Sequence, residues 1–191
     1  MIVKPGALKS PGEIIVEGDW SNAAFFLCAN ELGADINVQN LNMDSVQADR
    51  KIVELLEKIN DNKDYCEIDI SQTPDLFVIL AVVLSQKCDK SVLENAKRLR
   101  LKESDRIQST YDMLKSFGVN CEIEGDNLVI YKSKMKPAVV NSCDDHRIVM
   151  AAAITSIITK EVEIKDWQAV NKSYPSFFEE IERLGSDVNY R

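Results

Sequence analysis

Glycine, proline and histidine are scarce in this chain, and long apolar runs are missing. Seven glycines and five prolines among 191 residues exclude a linker-rich or low-complexity chain and leave room for one large domain or two small ones. The five cysteines (28, 66, 88, 121 and 143) are odd in number, scattered, and free of any C-x-x-C pair. That is the usage of reduced thiols, not of a disulfide framework or a zinc site. There is a single histidine, and neither G-x-x-x-x-G-K-[ST] nor G-x-G-x-x-G occurs, so no metal and no organic cofactor is expected. The longest apolar stretch, "LFVILAVVL" at 76–84, is too short to span a bilayer and reads as a buried helix. "MIVKPGALKSPG" lacks the apolar run of a signal peptide. Positive charge is also short: the net charge is -8, which disfavours nucleic acid and anionic membrane as partners. A soluble, cytoplasmic protein is expected. Its remaining natural partner class is a small anion, which needs only a local cationic pocket.

What the chain does contain is a repeated pattern, and 45% hydrophobic residues to build a core. Three apolar runs each open on an acidic residue: "DWSNAAFFLCANELGADINV" from Asp19, "DLFVILAVVLSQKCDKSVLEN" from Asp75 and "DHRIVMAAAITSIITKEVEIKD" from Asp145. The interval from Asp19 to Asp49 equals that from Asp75 to Asp105, 30 residues; the same step from Asp145 reaches Pro175. A fixed period of this kind marks one supersecondary unit copied along the chain. The units are expected at about 12–70, 71–135 and 136–191, within a single lobe.

The first helices of the units (about 21–32, 75–86 and 145–158) are apolar nearly all round, which predicts burial on every side. The second helices (about 46–59, 104–117 and 175–184) are amphipathic, as in Ile52, Leu55, Leu56 and Ile59 at i, i+3, i+4, i+7. Strands are expected at 13–16, 35–39, 66–70, 91–94, 119–123, 127–131, 138–141 and 161–165, with "EGDN" (124–127) as a hairpin turn. The expected fold is α/β, with buried helices inside and sheets outside about a pseudo-three-fold axis. Such an axis brings helix N-termini to one end, where unpaired N–H groups and the helix dipoles favour anions.

Charges at those helix starts do not all suit a helix. Asp75 has an ordinary reading, since Thr73, Pro74 and an acid in the first turn form a standard helix opening. In "KESDR" (102–106), Ser104 or Asp105 serves as a cap and Glu103 as an ion-pair partner. Lys102 and Arg106, however, oppose the dipole by some tenths of about 1 kcal/mol. In "DDHR", His146 reads either as a satisfied structural residue or as a titratable group, while Arg147 repeats the misfit of Arg106. Arg is the side chain whose planar fork matches carboxylate or phosphate with two bonds. Lys172, in "NKSYPSFF", precedes the last amphipathic helix. Three cations with Asp75, Glu103 and His146 describe a site for a multiply anionic substrate, with groups available for proton transfer.

The segments "VEGDWSNAAFFL", "PD" (74–75), "LRLKESDR", "DHRIVMAAA" and "NKSYPSFFEEIERLG" resemble, in order, the motifs of the 5-enolpyruvylshikimate-3-phosphate synthase family (3-phosphoshikimate 1-carboxyvinyltransferases). The resemblance implies one lobe, the C-terminal one, of a two-lobed fold whose lobes each hold three βαβαββ units. It implies transfer of the enolpyruvyl group of phosphoenolpyruvate to the 5-hydroxyl of shikimate 3-phosphate, by addition and elimination without a cofactor or metal. By motif, Arg106, Arg147 and Lys172 are similar to the phosphoenolpyruvate clamp, and Asp75 and Lys102 to shikimate 3-phosphate contacts. Asp75 is similar to the residue that takes the hydroxyl proton, Glu103 to one beside the enolpyruvyl carbon, and His146 to a further active-site position. Arg98 stands where many members carry an uncharged polar residue. The implied partner is the family's N-terminal lobe, without which no turnover is expected. The competing readings are the related enolpyruvyl transferase acting on UDP-N-acetylglucosamine, disfavoured by "KESDR", and a non-catalytic anion-binding module of the same fold.

Overall fold

The computed structural model describes residues 1–190. Among these residues, six α-helices and six strands are linked by short 3-10 segments. They run in the order α1 (Trp20–Glu31), α2 (Ile52–Asp61), β1 (Tyr65–Asp69), α3 (Phe77–Lys87), β2 (Lys90–Glu94), α4 (Arg106–Ser116), β3 (Cys121–Glu124), β4 (Asn127–Tyr131), β5 (Ala138–Asn141), α5 (His146–Thr159), β6 (Val162–Lys165) and α6 (Phe177–Arg183).

Helices α1, α3 and α5 pack against one another in the middle of the molecule. Their sequences leave them no polar face. Every residue of α3 from Phe77 to Ser85 is buried, as is every residue of α5 from His146 to Thr155. Each fully buried Val, Leu, Ile or Phe contributes about 1.5–3 kcal/mol, so this helix trio carries much of the stability. Helix α2 instead buries only Ile52, Leu55, Leu56 and Ile59, the face that its periodicity specifies.

Two sheets lie around the helices. Four strands run in the order β1-β2-β4-β3. β1 and β2 are parallel, joined through α3, and β4 is antiparallel to both its neighbours. The hairpin between β3 and β4 turns at Glu124–Asn127, with Gly125 at φ 63° where only glycine is unstrained. β5 and β6 form a parallel pair joined through α5. One uninterrupted β-α-β-α-β-β order therefore runs from β1 to β4, and its first strand pairs with the strand after α3.

Two expected strands do not form. Residues 13–16 are irregular, with Ile14, Ile15 and Val16 exposed and no backbone ladder to define a strand. Residues 35–39 are irregular as well. There the Asn30 side chain from α1 takes both backbone groups of Ile36, donating Nδ2–H to the Ile36 carbonyl at 2.8 Å and accepting its N–H at 2.8 Å. A helix side chain has replaced a neighbouring strand. Helix boundaries also move by one to a few residues, most at α2, whose expected start is the 3-10 segment Ala48–Lys51.

Among the described residues no helix is long and apolar enough to cross a membrane. Among the same residues no group of three or more His, Cys, Asp or Glu is placed to hold a metal.

Candidate active site

The starts of α3, α4 and α5 meet at one end of the molecule, and the acids that open them do different work. Asp19, Asp105 and Asp145 each cap a helix. Asp19 accepts from the N–H groups of Ser21 and Asn22, Asp105 from that of Gln108, and Asp145 from that of Arg147 at 2.9 Å. Asp75 caps nothing: the helix it precedes has no side-chain cap. Its carboxylate turns outward and gathers three cations. Lys102 Nζ lies 3.2 Å and Arg106 Nη1 2.8 Å from Oδ1, and Arg147 Nη2 lies 3.2 Å from Oδ2. Arg147 Nη1 also donates to the Asp75 carbonyl at 3.2 Å. The standard helix opening written in "TPDLF" thus lacks its cap.

Arg106 is the centre of the arrangement, 1% exposed although it is an arginine. Its Nε donates to Asp145 Oδ2 at 2.8 Å, Nη2 to Asp145 Oδ1 at 3.3 Å and to Glu103, and Nη1 to Asp75. Asp145, fully buried, also accepts from the Ser104 hydroxyl at 3.0 Å, and Ser109 donates to Ser104 at 2.7 Å. A buried guanidinium is stable only when its charge is matched and its donors are filled. The carboxylates supply both, and they remove the apparent misfit of a cation at a helix start.

Burial works to raise the Asp75 carboxyl, but Arg147, Lys102 and Arg106 outweigh it and hold the group below the usual carboxylate range. Asp145 behaves alike: burial is overcome by Arg106, the Arg147 N–H and Ser104. Both are ionised at neutral pH. The His146 pKa is lowered too, with the opposite consequence for charge. Burial, then the adjacent Arg147, lowers its pKa and leaves a neutral imidazole. Its Nδ1, buried, has no hydrogen-bond partner and stands 4.0 Å from Asp145 Oδ1. Arg147, 6% exposed, leaves its Nε without a partner.

Of the residues singled out from sequence, Asp75, Lys102, Glu103, Arg106 and Arg147 share one continuous ionic network. His146 adjoins it without a hydrogen bond. Lys172 stands outside that network and pairs with Asp144, donating to its carboxylate at 2.7 Å and its carbonyl at 3.0 Å. Asp144 and Cys143 both have positive φ, 56° and 52°, a strained approach to the start of α5. Arg98 is exposed on a 3-10 turn beside Ser71 and Asn95.

Sequence reasoning passed over Asp145, Ser104 and Asp49. Asp145 was visible only as the acid that opens a repeat. Asp49, buried, accepts from the Ser21 hydroxyl; burial first, and then Asp75 nearby, raise its pKa, and Ser21 offsets part of that. The signal for Asp49 was its 30-residue interval from Asp19.

The same arrangement of chain occurs in known proteins. An EPSP synthase from Acinetobacter baumannii superposes with a TM-score of 0.80 at 24% identity, over 89% of this chain and 46% of that one. The enolpyruvyl transferase NikO from Streptomyces tendae superposes with a TM-score of 0.66 at 12% identity, over 93% and 45%. The fold is that of the enolpyruvyl transferases.

Sequence similarity narrows the class. The family described as EPSP synthase (3-phosphoshikimate 1-carboxyvinyltransferase) matches residues 1–181, and this chain belongs to it. Relatives named 3-phosphoshikimate 1-carboxyvinyltransferase include one from Clostridium novyi, 37% identical over 98% of this chain and 47% of its own length. Another, from Clostridium acetobutylicum, is 39% identical over 91% and 44%. The chain spans about half the length of the relatives that it matches.

Proposed function

We propose that this chain is the C-terminal lobe of a 3-phosphoshikimate 1-carboxyvinyltransferase of the shikimate pathway, working in the cytoplasm with an N-terminal lobe. The 191 residues act as one lobe of three repeat units, at about 12–70, 71–135 and 136–191. The observation that carries the reading is the cluster of Lys102, Arg106 and Arg147 on one carboxylate, Asp75, at converging helix starts. Both substrates, phosphoenolpyruvate and shikimate 3-phosphate, are anions, and only such a focus of cations in a net-acidic chain offsets their charge.

The assigned roles are those that the family's motifs imply for these positions. Arg106, Arg147 and Lys172 hold phosphoenolpyruvate, and Lys102 with Asp75 holds shikimate 3-phosphate. Asp75 takes the proton of the 5-hydroxyl as its oxygen bonds to C2 of phosphoenolpyruvate, while Glu103 protonates C3 and so completes the tetrahedral adduct. Removal of a proton from the new methyl group then expels phosphate and restores the double bond. The two carboxyls suit opposite proton transfers because their surroundings differ: Asp75 is enclosed by cations, whereas Glu103 is exposed and has one. His146, neutral, lines the same end.

One wall of a cleft leaves the substrates solvated and unaligned, and alignment is worth about 7–11 kcal/mol of barrier. The chain alone is therefore expected to release no phosphate from phosphoenolpyruvate and shikimate 3-phosphate. Mixed with the separately produced N-terminal half of a relative, it is expected to release it. Robust turnover by the chain alone would refute the split site, and a mixture that neither binds substrate nor turns over would refute the function.

A further inference from the structure

The site is charge-balanced before any ligand arrives. Its four cations, Lys102, Arg106, Arg147 and Lys172, are all paired with the chain's own carboxylates: Asp75, Glu103, Asp144 and Asp145. The pairings are not equal in kind. Asp145 is fully buried, fixed by the two-bond fork to Arg106 and by its role as a helix cap. Asp75 is partly exposed, caps nothing, and occupies donors of three cations at once. It stands where an anion's oxygens would stand.

We propose that Asp75 is an internal stand-in for the anionic substrate, and that incoming phosphoenolpyruvate displaces it from Arg147. The inference rests on the phosphoenolpyruvate and shikimate 3-phosphate reading above and adds a coupling to it. Arg147 is the cation best suited to be shared. Its fork holds the side chain and the carbonyl of Asp75 through Nη2 and Nη1, while Nε has no partner, so a bidentate acceptor gains a donor that Asp75 leaves idle.

The exchange times the chemistry. While three cations face it, the Asp75 carboxylate is a weak base. Asp49, which accepts from the Ser21 hydroxyl, is a nearby carboxylate that acts in the opposite sense. When phosphoenolpyruvate draws Arg147 away, Lys102 and Arg106 still face Asp75, but one cation is lost and an anion is added, and both changes favour a proton on it. The group assigned to take the hydroxyl proton thus becomes more basic when its reaction partner is bound. No covalent step is involved; the coupling is a competition among ion pairs.

The competition has a result that a simple contact role does not share. Asp75→Asn keeps the shape but removes the competing charge, so it is expected to bind phosphoenolpyruvate about tenfold more tightly than the wild type, although it cannot turn over. Equal or weaker binding by a folded Asp75→Asn chain would overturn the proposal. Should that variant not fold, the wild type decides: in a carboxyl-carbon NMR titration, saturating phosphoenolpyruvate is expected to raise the Asp75 midpoint by about one pH unit or more. Bound ligand with an unmoved midpoint sinks the exchange alone. Failure of phosphoenolpyruvate to bind either protein even when mixed with the N-terminal half sinks the exchange and the reading beneath it together.

Discussion

Arg106 Nε and Nη2 meet Asp145 Oδ2 and Oδ1 at 2.8 and 3.3 Å, a two-bond fork between residues 39 apart, sealed from solvent at the junction of α4 and α5. Removing one partner of such a pair strands a buried charge, which costs about 3–5 kcal/mol. Asp145→Ala also deletes the α5 cap, worth about 1 kcal/mol. The variant is expected to lose at least 3 kcal/mol or so, read as a shift of the urea midpoint at pH 7. Asp105→Ala, which loses a cap and only a partly exposed pair with Arg100, serves as the milder control.

Acid should unfold the chain through the same carboxylates. Asp75 and Asp145 both have pKa values below their unfolded ones, so their contribution is complete above the unfolded value, about 3.9. It is lost as pH falls through the folded values, below about 4. Asp49 has the opposite sign: its raised pKa makes ionisation costly to the folded state, so protonating it recovers some stability as pH drops from neutral. Urea midpoints measured from pH 7 to pH 3 are expected to hold or rise slightly at first and then fall steeply. Asp49→Asn should abolish the early rise.

Arg147→Lys keeps the charge and loses the fork. One ammonium cannot reproduce two nitrogens placed on the Asp75 carboxylate and carbonyl. A hydrogen bond to a charged group is worth about 1.5–3 kcal/mol, so kcat/KM for phosphoenolpyruvate in the chain mixed with an N-terminal half is expected to fall about 10- to 100-fold. Lys172→Arg, at an exposed position held only by Asp144, should cost less.

The thiols offer a check on the core. Cys143 is exposed, and Cys28, Cys66, Cys88 and Cys121 are buried. Burial pushes the Cys88 and Cys121 thiols up to about 11 and raises Cys28 as well, so little nucleophilic thiolate exists at neutral pH. Ellman's reagent should titrate one thiol in the native chain and five in urea, from a chain with five cysteines. Rapid reaction of a second thiol without denaturant would contradict the packing of α1, α3 and β3.

Much of the architecture was legible because it rests on local rules. The apolar composition of "LFVILAVVL" allowed α3 no exposed face, and the periodicity of "KIVELLEKI" named the four residues that α2 buries. The strands at 13–16 and 35–39 were misread for the opposite reason. Their composition suits an extended chain, but a strand exists only through a neighbour, and Asn30 had already taken the Ile36 backbone. The candidate site divides similarly. "KESDR" and "DHR" advertised their charges, whereas Asp145, Ser104 and Asp49 look like ordinary caps and loop residues until their partners 28 to 41 positions away are seen.

By itself the sequence determined which residues must be buried, where every helix but α2 begins to within about two residues, and that a set of cations stands at those beginnings, since periodicity, capping and charge are properties of neighbours along the chain. Only the tertiary structure decided that Asp75, alone among the three repeat-opening acids, leaves its helix uncapped and takes the cations of two other helices. Ion pairing depends on distance in space, and no local rule sets the distance between residues 31 or 72 positions apart.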